Sequence, residues 1–182
     1  GKFGPFRKDL MQALDDLHPK FIRFPGGCAS EGAIYFSQPF WKNSVGPLEE
    51  RIPFRNHWGH LASQYVGFYE YLLMAESLGA EPLPVLNNGV TCQFGGQKYI
   101  VPLETQEDKD RFYSIYVKDA LDFIEFCNGG TDTEWGALRA KMGHPEPFNL
   151  KYISIGKLDT DVKECINLID DLRICPHCAG KL

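Results

Sequence analysis

Three short apolar runs, at residues 20–24, 81–87 and 150–155, alternate along the chain with segments of helical period, and this order constrains the fold more than any single residue does. Residues 7–17 place Leu10, Ala13, Leu14 and Leu17 on one helical face before His18-Pro19 stops the helix. Residues 61–78 hold Tyr65, Phe68, Tyr69, Leu72, Ala75 and Leu78 in register and stop at Gly79. Residues 107–127 repeat the pattern with Phe112, Ile115, Tyr116, Leu121 and Ile124, closed by Asn128-Gly129-Gly130, and a shorter helix is predicted at 133–141. Strands separated by helices of this length connect through right-handed βαβ crossovers, so the fold class is α/β with a parallel sheet.

Two architectures satisfy that order. A doubly wound sheet would bring a glycine fingerprint to the first strand exit, but Phe24-Pro-Gly-Gly-Cys28 matches neither the dinucleotide pattern nor a phosphate loop. Its proline also argues against a helix starting there. A TIM barrel instead carries long, individual loops at the carboxyl ends of its strands, as found at 28–56 and after Asn87. A whole barrel needs about 250 residues. This chain has 182 and three clear strands, so the expectation is a partial (β/α)8 barrel.

Composition removes other classes. With 19 basic and 24 acidic side chains the net charge is −5, which offers no basic surface to nucleic acid or an anionic membrane. The longest apolar stretches, such as 68–73, are short and carry a glutamate, so no span is expected, and residues 1–9 show no apolar leader core. A chain of this size buries a core without covalent staples, so Cys28, Cys92 and Cys127 read as thiols outside any disulfide framework. Cys165, Cys175 and Cys178 crowd the C-terminal end. Cys175-Pro-His-Cys178 is half of a zinc knuckle, and a closed site wants two such pairs. His57, His60 and His144 lack metal-ligand spacing, so no cofactor or metal is expected. Glu49 and Glu50 beside Arg51 read as a solvated or loop-pinning charge cluster.

Several blocks carry a resemblance: Arg7-Lys-Asp-Leu10, Lys20-Phe-Ile-Arg-Phe-Pro-Gly-Gly-Cys28, Trp41-Lys-Asn-Ser-Val-Gly-Pro-Leu-Glu-Glu-Arg51, Leu78-Gly-Ala-Glu-Pro-Leu83, Asp119-Ala-Leu-Asp-Phe-Ile-Glu-Phe-Cys-Asn-Gly129 and Trp135-Gly-Ala-Leu-Arg-Ala-Lys-Met-Gly-His-Pro-Glu-Pro-Phe148. In this order they resemble the catalytic barrel of the glycoside hydrolase family 51 α-L-arabinofuranosidases, about strands 2 to 4 with their helices. The resemblance covers residues 7–156 and divides the chain into a family-like part, 1–156, and a tail, 157–182, that does not resemble the family.

The resemblance implies a retaining hydrolase that removes terminal α-L-arabinofuranosyl units from arabinan, arabinoxylan and related hemicelluloses, in a parent that is a homo-oligomer and either cytoplasmic or secreted. Such chemistry uses two carboxyl groups about 5 to 5.5 Å apart, one the nucleophile and one the acid and then base. In the family the acid/base follows an asparagine at the end of the fourth barrel strand. Here the matching strand ends at Gly156, so Lys157 stands for that asparagine and Leu158 for the acid. The expectation is therefore a fragment, inactive by itself. Its alternatives are a sugar-binding remnant and a small zinc- or partner-binding protein using Cys175 and Cys178.

Family position makes Arg23, Gly26, Gly27 and Cys28 lining of the innermost sugar subsite, against a structural arginine bridged beneath the loop. Trp41 suits a stacking wall for a furanose ring, against a loop tryptophan packed inward. Asn87 and Asn88 end the next strand and either hold sugar hydroxyls or cap the turn into Gly89. An arabinose-containing oligo- or polysaccharide is the expected ligand.

Overall fold

The computed structural model describes residues 2–156. In chain order the elements are α1 (Lys8–Asp15), β1 (Phe21–Phe24), α2 (Gly27–Glu31), β2 (Phe54–Arg55), β3 (Leu61–Ala62), α3 (Phe68–Leu78), β4 (Glu81–Leu86), α4 (Gln106–Phe112), α5 (Lys118–Asn128), α6 (Glu134–Lys141) and β5 (Ser154–Ile155). The strands β1, β4 and β5 form a parallel sheet in that spatial order, and β2 and β3 make a small antiparallel hairpin in the loop after β1. The mixed α/β class and the parallel pairing agree with the sequence.

Register follows from backbone chemistry. The Glu81 N–H bonds the Lys20 carbonyl, so odd-numbered residues of β4 turn their donors to β1. Pro82 and Pro84 therefore direct their missing N–H toward β5, and β5 pairs only with Val85 and Leu86 beyond them. The predicted strand 150–155 shrinks to two residues for a second reason. The Asn128 side chain donates to the Leu150 carbonyl at 3.0 Å and accepts its N–H at 2.7 Å, which diverts the backbone before it reaches the sheet.

Along β1, Ile22 and Phe24 face the core while Phe21 and Arg23 are exposed. The core joins Phe24 and Leu86 to Phe68 and Leu72 of α3 and to Phe123 and Phe126 of α5. A smaller cluster seats Met11 of α1 on Leu78 and Ala80.

Three boundaries differ from the periodicity. The helix predicted at 61–78 begins at Phe68, because Glu70 accepts the Gly67 N–H at 2.8 Å and closes the first turn there; Tyr65 and Val66 are exposed, and Leu61 joins the hairpin. The helix predicted at 107–127 contains a π turn at Tyr113–Val117, which inserts a residue and widens the buried face, so that Val117, Ala120, Phe123 and Cys127 join the predicted Tyr116 and Ile124 in the interior. A helix also starts at the β1 exit, against expectation. Pro25, after a cis peptide bond, and Gly26 at φ +116° complete the turn first, so α2 begins beyond the proline at Gly27.

The long loop after β1 is fastened to the helices by Lys42. Its Nζ lies 2.5 Å from Asp122 and 3.5 Å from Asp119, over the ring of Trp135. Burial pushes the Asp119 carboxyl up to about 7, with Lys42 pulling the other way. A carboxyl raised above its unfolded value contributes stability that is complete below that unfolded value, near 4, and is lost as pH rises through the folded one. The Asp119 contribution is therefore expected to fall between about pH 4 and 7; urea titrations of the wild type and Asp119→Asn at several pH values would measure the difference, and an unchanged slope would refute the assignment.

Candidate functional site

The carboxyl ends of β1, β4 and β5 open on one side of the sheet, and the loops leaving them meet there. From β1 the chain passes through Pro25 and Gly26 into α2, which carries Cys28 half-buried. The Cys28 thiol donates to Gln93 Oε1 at 3.2 Å, so the loops after β1 and β4 touch. Asn88, two residues past β4, presses on Gly156, the residue after β5. A Cβ on Gly156 would lie 2.4 Å from the Asn88 amide nitrogen, and the backbone there has φ +68°, so only glycine lets the two exits come this close.

Of the sequence candidates, Gly27, Cys28, Asn87 and Asn88 are gathered at these strand exits, and Arg23 is the last but one residue of β1, with its guanidinium facing Gly26. Arg23 is exposed, not bridged beneath the loop. Trp41 must be corrected. It is fully buried, its indole N–H donates to the Asp119 carbonyl at 2.9 Å, and Trp135, Phe123 and Phe126 surround its ring. A loop indole with an internal acceptor and three aromatic neighbours gains more from the core than from a solvent-facing wall.

Asn87 takes the turn-holding alternative. Its amide nitrogen donates to the carbonyls of Ser30 at 2.7 Å and Glu31 at 3.1 Å, and its oxygen accepts the Gly89 N–H at 2.5 Å. Asn88 Oδ1 accepts the Val90 N–H at 3.2 Å. Both side chains belong to buried residues, so these bonds satisfy groups that water cannot reach.

Sequence reasoning missed the polar residues behind the exits: Ser30, Glu31 and Gln38 in the first loop, Gln93 in the second, and Tyr116 in the π turn. Ser30 hydroxyl donates to the Val85 carbonyl at 3.0 Å and to Gly26 O. Glu31 is 4% exposed, and a charged residue in an aperiodic glycine-rich loop was the one available signal. Arg51 is likewise buried and pins its loop, whereas Glu49 and Glu50 are exposed.

Lys157, Leu158, Cys175 and Cys178 lie outside the described residues. Among the described residues no three His, Cys, Asp or Glu side chains group as metal ligands, and no helix is long and apolar enough to cross a membrane.

Residues 13–165 match the family profile described as the Alpha-L-arabinofuranosidase 1 domain. Alpha-L-arabinofuranosidase 1 of Arabidopsis thaliana is 42% identical over 155 residues, 85% of this chain and 21% of the relative. The extracellular exo-alpha-L-arabinofuranosidase of Streptomyces chartreusis is 41% identical over 162 residues, 82% of this chain and 18% of the relative. This chain thus spans about a fifth of the length of the curated relatives it matches. An arabinose-bound family 51 α-L-arabinofuranosidase superposes with a TM-score of 0.79 at 29% identity, over 94% of this chain and 27% of that one. The arabinose complex of the Thermotoga maritima enzyme gives a TM-score of 0.61 at 28% identity, over 84% of this chain and 26% of that one.

Proposed function

The chain belongs to the α-L-arabinofuranosidases of glycoside hydrolase family 51, and on that footing we propose that it supplies the sugar-holding side of a retaining arabinofuranosidase barrel, about strands 2 to 4 of eight. The observation that carries this reading is the superposition on an arabinose-bound enzyme over 94% of the chain, with Arg23, Gly27, Cys28 and Asn88 at the strand exits. In any TIM barrel those exits form the face where substrate binds. The ligand is a terminal α-L-arabinofuranosyl unit of an arabinan or arabinoxylan.

Sugar holding and bond cleavage separate in this chain. Retaining hydrolysis requires a proton donor at the leaving oxygen and a carboxylate on the anomeric carbon. The family-matching position of the donor is Leu158, preceded by Lys157, and leucine has no proton to give. Loss of general acid assistance alone costs about 10² to 10⁴ in rate. Asp159 and Asp161 are no substitutes, since a misplacement of ~1 Å already costs about 10²-fold.

Two measurements test this reading on the 182-residue chain. Hydrolysis of 4-nitrophenyl α-L-arabinofuranoside is expected to be undetectable, and turnover above buffer would overturn the account of the missing acid. L-arabinose titrated into labelled protein is expected to shift the amide signals of Gly27, Cys28 and Asn88. Silence at those amides at high sugar concentration would remove the sugar-holding role.

A further inference from the structure

We propose that Gln38, locked in place by Tyr116, is a positioning residue that holds α2, and with it Cys28, at the strand-exit site; the link to sugar rests on the reading of that site given above. A helix of five residues is far too short to persist by itself. What fixes α2 is side-chain bonding to its last carbonyls, which a helix end leaves without internal partners. Asn87 reaches the Ser30 and Glu31 carbonyls from the residue just past β4, and Gln38 Nε2 donates to the same Glu31 carbonyl at 2.9 Å.

The Gln38 amide has one possible orientation. A carbonyl only accepts, so the nitrogen must face Glu31, and the oxygen is left to accept the Tyr116 hydroxyl at 3.1 Å. Gln38 and Tyr116 are 3% and 2% exposed, so neither bond can be replaced by water without opening the loop. The π turn brings Tyr116 to this place. There its ring also abuts Gly89, where a Cβ would lie 3.0 Å from Tyr116 Cδ2 and 2.3 Å from Phe112 Cε2. Tyr116 thereby supports the exits of β1 and β4 together, and π turns are often kept for such tasks.

The test reads Cys28 alkylation by iodoacetamide, resolved by peptide mass spectrometry and normalised at each pH to the urea-unfolded chain. Tyr116→Phe keeps the ring and removes one bond, so Cys28 should react about five-fold faster through local opening. Gln38→Glu adds a readout that a space-filling role would not move. As a carboxylate the new side chain cannot donate to Glu31 O, and protection is lost at pH 8. As a neutral acid it donates and accepts like the amide, so protection returns on acidification, with a midpoint raised by burial above about 4.3. Of the titratable and charged groups around this position, Tyr116 bonds the side chain, Tyr35 in the same loop and Arg111 of α4 act on Tyr116 electrostatically, and Glu31 meets it through its backbone carbonyl. Burial raises the Tyr116 hydroxyl, which stays protonated throughout.

Wild-type protection in Tyr116→Phe, or a pH-flat Gln38→Glu, would overturn the proposal. Should Gln38→Glu not fold, Tyr116→Phe alone decides. L-arabinose titration keeps the two readings apart. Absence of binding by wild type removes the sugar reading and leaves the positioning result standing. Unweakened binding by a Tyr116→Phe protein with loosened α2 overturns the positioning role.

Discussion

Arg139→Met is expected to lower unfolding stability by about 3 to 5 kcal/mol, measured by urea denaturation, because one buried and three part-buried carbonyls lose their donor at once. Arg139 is completely buried in α6. Its guanidinium donates to the carbonyls of Phe126 at 2.7 Å, Gly129 at 2.8 Å, Pro145 at 2.9 Å and His144 at 3.1 Å. These carbonyls come from the end of α5 and from the turn after α6, so one side chain closes the connection between the helices and the approach to β5. Methionine fills much of the space but offers no donor. Arg139→Lys should recover part of the loss, since an ammonium reaches one or two of the acceptors and lacks the planar fork. A domain holds only about 5 to 15 kcal/mol in all, so Arg139→Met should melt more than about 8 °C lower. A loss under about 1 kcal/mol would show that the carbonyls find other partners.

Features set by local pattern were readable from the chain; those set by distant pairing were not. The three strands and the helix faces were legible because their periods record burial directly, as with Leu72, Ala75 and Leu78 on α3. The π turn and the wider buried face it makes were not, because a single inserted residue leaves composition unchanged. β5 shortened for a side chain 22 positions away, and no local signal marks Asn128 as a rival to the sheet. The two-residue strands of the hairpin are too brief for alternation to show.

The site divides in the same way. Cys28 and Asn88 follow from the rule that function gathers at strand exits, which needs only the strand ends. Trp41 was placed on the wrong side because an indole suits both a sugar wall and a core, and its acceptor lies 78 positions away in α5. The Gln38–Tyr116 bond spans the same separation and was equally invisible. The amides and the hydroxyl that hold the strand exits in place belong to the fold.

Besides the Lys42 contacts, the loop that carries these supports is tied down by a buried ion pair, and cutting it should loosen the 46–67 segment. Arg51 donates to both carboxylate oxygens of Glu70 at 2.8 Å, and to the carbonyls of Gln64 at 2.8 Å and Gly46 at 3.2 Å. Glu70 also closes the first turn of α3 through Gly67, so the pair joins both ends of the 46–67 segment to a core helix. Both residues are under 9% exposed. Removing one partner strands a charge where water is scarce, a loss of about 3 to 5 kcal/mol, whereas replacing both by apolar groups removes the stranded charge as well. Arg51→Met and Glu70→Met are each expected to destabilise by about that amount and to make the 52–66 stretch sensitive to protease. The double variant should lose less than the sum by about 2 kcal/mol or more, the mark of a direct partnership. Additive losses would mean that Arg51 acts through the loop carbonyls alone, with Glu70 serving only the start of α3.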